Sequence, residues 1–167
     1  SAFSGMWIEP TLKPGVVPVT EPAMAYVMPA RDAPPSTKNL WTPPVATEKD
    51  ALHAYVLQQQ DAFRAAVFGL TDDQAGRAAS ASTLTPGTLV KHVTATQRSW
   101  LDSVLAAPEL PVDDRTQEQQ YADWQTQFTW LPGDTVADVL AAFDAVSGEV
   151  LDAIRDADLD TAVPVPP

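Results

Sequence analysis

Proline decides first how this chain can fold. Nine of its sixteen prolines fall within residues 6–47, including the pairs Pro34-Pro35 and Pro43-Pro44. Each fixes φ and removes a backbone donor, so the segment is predicted to be extended or irregular. It is still too apolar for a solvated tail, because Trp7, Ile8, Val16, Val17, Met24, Tyr26, Leu40 and Trp41 all lie in it. We read residues 1–47 as an arm that packs over a helical domain or docks on a second subunit or partner. Residues 1–5 precede Met6 and are set aside as an expression remnant.

Beyond the arm the apolar residues recur at helical spacing. Thr47, with Asp50 three residues on, caps a first helix whose stripe is Leu52, Tyr55, Val56, Phe63, Ala66, Val67 and Leu70, and Gly69 stops it. Residues 71–82 read as a short helical turn and a loop. Thr85 and Pro86 open a second long helix, on which Leu89, Val93, Thr96, Trp100 and Val104 form what should be one buried stripe. Residues 113–132 are polar but carry Tyr121, Trp124, Phe128 and Trp130. That pattern predicts a long connection with some helix, either pinned down by its aromatics or covering a substrate. A third long helix follows Thr135, with Val136, Val139, Leu140, Phe143, Val146, Val150, Leu151 and Ile154 at 3–4 spacing. Its outer acids, among them Asp138, Asp144 and Glu149, read as a solvated face. The residues from 158 on are not helical. The expectation is an all-α domain over residues 48–167, long enough for one core. Three stripes need a fourth element, so an apolar groove should remain, covered by the arm, the C-terminal segment or another chain in a homo-oligomer such as a dimer.

Charge and composition remove several function classes. The net charge is −12, yet residues 1–47 hold three acids (Glu9, Glu21, Asp32) against three bases (Lys13, Arg31, Lys38). The excess therefore lies wholly in residues 48–167, and such a surface repels nucleic acid and anionic membranes. No run of eighteen apolar residues and no leader pattern stands out, so a cytoplasmic setting is expected. Cysteine is absent, which excludes disulfides, thiolate nucleophiles and Cys-based metal sites. Fingerprints of hydrolases, P-loops and dinucleotide folds are missing. Two histidines remain. His53 lies beside the first stripe and reads as a partly exposed, hydrogen-bonded residue. His92 follows Leu89 by three and precedes Thr96 by four, so it should point inward, as a satisfied core residue or as a ligand.

The run LTPGTLVKHVTATQRSW resembles the second-helix signature of the DinB-like four-helix bundles, "L…LVKHL…E..W". More weakly, the first helix is similar to the family's "L..YL..Q" opening, and DTVADVLAAFDAVSGEVLDAI to its third helix. This superfamily includes mycothiol- and bacillithiol-dependent S-transferases and the mycothiol-dependent maleylpyruvate isomerase. The resemblance implies an up-down-down-up bundle and a divalent metal, Zn or Ni, held by three histidines. One of them would stand at His92, and the other two on an HxxxH pair of the fourth helix. The 167 residues contain no HxxxH. The expectation is therefore a metal-dependent thiol S-transferase or isomerase, either truncated or completed by another chain. The alternative is a non-catalytic helical interaction or oligomerisation module that has lost the site.

Overall fold

The computed structural model describes residues 44–164. The arm expected over residues 1–47 lies outside them except for its last four positions. The described chain is all helical: α1 (Glu48–Val67), α2 (Asp72–Ala75), α3 (Pro86–Ala106), α4 (Gln117–Gln127) and α5 (Val136–Asp156). Each helix starts on a threonine, Thr47, Thr71, Thr85, Thr116 or Thr135, whose hydroxyl accepts a first-turn N–H that would otherwise be orphaned. Asp72 adds a tertiary cap: its carboxylate accepts from Val136 N at 2.8 Å and so binds α2 to the start of α5. No helix among the described residues is long and apolar enough to cross a membrane.

Side-chain bridges fix the helix directions. Lys49, in the first turn of α1, donates to the carbonyls of Arg155 and Ala157 at the end of α5, and Arg64, near the other end, donates to Asp144 at 2.8 Å. The two helices therefore run antiparallel. Along α3, Lys91 pairs with Asp134 just before α5, and Arg98 pairs through both terminal nitrogens with Glu149 farther along it. Those two helices advance together. The order is up-down-down, and it explains the long second connection. A helix of this length spans roughly 30 Å, so a chain leaving α3 must travel back along it before a parallel α5 can begin. The return path holds α4, a helix of eleven residues where the sequence predicted a connection with some helix.

The core is compact. Val67, Val90 and Phe143 are fully buried, with Phe63, Leu70, Val93, Val136, Val139 and Leu140 around them. Arg64 lies 5.3 Å above the Phe143 ring, so its charge rests on the aromatic face as well as on Asp144. The α5 stripe faces inward as its periodicity required, with Phe143 and Val146 buried and the other six residues half-buried. The α1 stripe is only partly so: Leu52 and Tyr55 are exposed, while Gln60 is 3 % exposed. Gln60 Nε2 donates to Gln97 Oε1 at 2.9 Å and to the Ser147 carbonyl at 3.3 Å, making a polar layer between α1, α3 and α5. Asp144 and Glu149 also depart from expectation, being interhelical anchors rather than members of a free acidic face.

Trp130 locks the return path to the rest. A Cβ built on Gly76, at the end of α2, would overlap the pyrrole side of its indole, and one on Gly87, in the first turn of α3, would overlap the six-membered side. The ring occupies space that two missing side chains leave. An alanine in place of a helical glycine ordinarily stabilises by about 0.5–1 kcal/mol. At Gly87 we predict the opposite sign, because overpacking a filled slot costs about 1–3 kcal/mol. Gly87→Ala should lower the thermal midpoint and red-shift the tryptophan emission as the indole leaves its slot; a raised midpoint would show that the slot has room.

Candidate functional site

His92 does not point into the core. Successive residues of a helix are about 100° apart, and the buried face of α3 runs through Val90 and Leu101. His92 stands two positions past Val90 and so faces away from α1 and α5, toward the return path. The stripe that was expected to be buried is partly exposed for the same reason: Leu89 is 40 %, Trp100 55 % and Val104 39 % exposed. Periodicity identified one side of α3, but the two long neighbours pack on the adjoining side.

The return path covers His92. Phe128 lies against the imidazole, with ring centroids 4.6 Å apart and planes 33° apart, and Trp124 meets Phe128 edge-on at 5.0 Å. Tyr121 stacks on Trp124 in turn. His92 Nδ1 is 3.1 Å from Gln127 Oε1. An amide oxygen can only accept, so in the neutral ring this contact places the proton on Nδ1 and leaves the lone pair on Nε2, the atom then available as base or ligand. The ring is thus held in one tautomer by a side chain no sequence pattern had singled out.

Gln127 also lines a cleft of about 520 Å³ between α3, the end of α4 and α5, where Lys91, Arg98 and Asp138 stand beside an apolar surface made by Val139, Ala142 and Val146. A cleft of this size suits a small molecule. Lys91 holds its wall together. Its ammonium donates to the Thr129 carbonyl at 2.8 Å and to Asp134 Oδ2 at 2.6 Å, and the same carboxylate oxygen accepts from Leu131 N. The lysine of the LVKH run is therefore a structural clamp between α3 and the return path. His53, the other histidine, is half-buried on α1 and belongs to neither grouping.

The residues present match one part of a three-histidine metal centre. A metal-binding imidazole normally has its other nitrogen hydrogen-bonded, as His92 has. The number of donors does not match: among the described residues no group of three or more His, Cys, Asp or Glu could hold a metal ion. His92 with Gln127 does not by itself make a Zn or Ni site.

Burial would raise the pKa of Asp134, but Lys91 and the Leu131 N–H outweigh it and hold the carboxyl below its ordinary value of 3.8. A carboxyl depressed in the folded state adds stability above the unfolded pKa and loses it as pH falls through the folded one. We predict that Asp134→Asn lowers stability at pH 7 by about 1 kcal/mol. The gap from the wild type should close below about pH 4, as the native carboxylate is protonated. Urea midpoints at pH 7 and pH 3 check this; a gap of equal size at both would mean that the clamp is not ionic.

Comparison with curated proteins and with solved structures gave no match. Comparison with protein families matches residues 51–167 to Mycothiol-S-transferase. That range runs from the first turn of α1 through all the other described helices, including the LVKH run and His92. The chain belongs to the mycothiol S-transferase family, a DinB-like family.

Proposed function

We propose that this protein acts in thiol S-transfer, with His92 at the reacting centre and the cleft that Gln127 shares with Lys91 and Arg98 as the seat of a small-molecule thiol. The observation that carries the reading is the family match over residues 51–167. Gln127 supports it, since one side chain orients the His92 ring and lines the cleft. In the transfer, the thiol sulfur forms a bond to an electrophilic carbon. The leaving group departs with the electron pair of the bond that breaks, and the thiol proton passes to a base. The Nε2 lone pair of His92 is that base in this reading, and Gln127 keeps it in the required tautomer. Zn or Ni joins the reading as a cofactor only if ligands beyond the described residues complete the set with His92.

One observation favours a second reading, a non-catalytic helical interaction or oligomerisation module. Tyr121 and Trp124 are 59 % and 50 % exposed on α4, a helix with no buried residue. Rates of conjugation of mycothiol to a bimane electrophile, with and without added Zn or Ni, separate the two in the natural full-length protein. The expected result is saturable turnover, with His92→Gln losing on the order of 100-fold in kcat/KM while the thermal midpoint is kept. No rate above the uncatalysed reaction in any arm would overturn S-transfer. The second reading then requires concentration-dependent sedimentation that Tyr121→Ser/Trp124→Ser abolishes.

A further inference from the structure

An apolar groove of about 440 Å³ lies between α1, α3 and the last turns of α5. Leu52 and Val56 form one wall, Trp100 and Val104 another, and Ile154 and Leu159 the third. Leu52, Trp100, Val104 and Leu159 each remain about 40–55 % exposed, and together they make a patch that water disfavours. We propose that the occupant of this groove is the chain's own segment around Leu40 and Trp41, with the indole of Trp41 as the anchor. The inference rests on packing and charge and is independent of the S-transfer reading.

Three observations favour that occupant. First, the described chain enters at the groove. Thr47 caps α1, Lys49 in its first turn is bonded to the Ala157 carbonyl, and Ala157 and Leu52 both line the groove. Four residues back from Pro44 reach at most roughly 14 Å, while Leu52 lies only about 7 Å along the helix from Thr47. Leu40 and Trp41 are thus within reach. Second, charge separates the candidates. Residues 1–47 sum to zero, whereas a second copy would bring its own net charge of −12 against the same surface. Third, Pro34, Pro35, Pro43 and Pro44 restrict the segment before it docks, so less conformational entropy is lost on seating. Tryptophan buries more area for fewer rotatable bonds than aliphatic chains do, which suits it as the anchor.

The absence of cysteine supplies a clean test in the full chain. A single Val104→Cys substitution places a thiol on one wall, and its rate of maleimide labelling reports whether the groove is covered. The expected result is slow labelling that does not depend on protein concentration and rises at least tenfold when Leu40→Asp and Trp41→Asp are added. Fast labelling in both backgrounds would mean an open groove and overturn the proposal. Protection that survives the double substitution overturns it too: loss of that protection on dilution would assign the groove to a second copy, and persistence would assign it to another segment of the chain. Leu159→Cys, on the opposite wall, serves as an independent reporter should Val104→Cys fail to fold.

Discussion

The indole of Trp130 occupies a slot that exists only because Gly76 and Gly87 carry no side chains. Much of the described structure follows from that contact. It joins the end of α2 and the start of α3 to the last residues before α5, more than forty positions farther along the chain. A parallel pair such as α3 and α5 leaves the chain a long way to return, and a long return path loses much conformational freedom on ordering. Fixing its end with one large aromatic, the Lys91–Asp134 ion pair and the Asp72 cap on Val136 sets where α5 begins. The register of α5 against α1 and α3 follows.

That register aligns a polar layer inside an otherwise apolar contact. Gln60, Gln97 and Ser147 meet at one level, while Arg64 with Asp144 and Arg98 with Glu149 bridge the helices at the borders. Buried polar groups stabilise little compared with well-packed apolar ones, but a shifted helix would leave them unpaired. The bridges also turn part of an acidic helix face into interhelical contacts, which offsets the repulsion expected of a domain with a large negative charge.

The same return path creates the surroundings of His92. Gln127 and Phe128 reach the imidazole because α4 ends where Trp130 is seated, two residues farther on. The histidine was visible in the sequence from its LVKH context, and so was the aromatic character of residues 121–130. Gln127 was not, because an amide in a polar helix carries no periodic signal. Lys91 stands next to His92 in the same run, yet its ammonium ties α3 to the return path through the Thr129 carbonyl and Asp134.

By itself the sequence determined the three long helices, the threonines that start them, the apolar stripe of α5 and the resemblance to the family. These depend on residues close together in the chain, and local spacing and capping chemistry report such things directly. Only the tertiary structure decided which side of α3 is buried, which way His92 faces and which glycines must remain glycines. A stripe tells that a helix has an inner side, but the neighbours that cover it are set by connections and contacts dozens of residues away. The groove beside Trp100 and Val104 shows the difference: the sequence supplied the apolar residues, and the packing of α1 and α5 on the adjoining face left them at its wall.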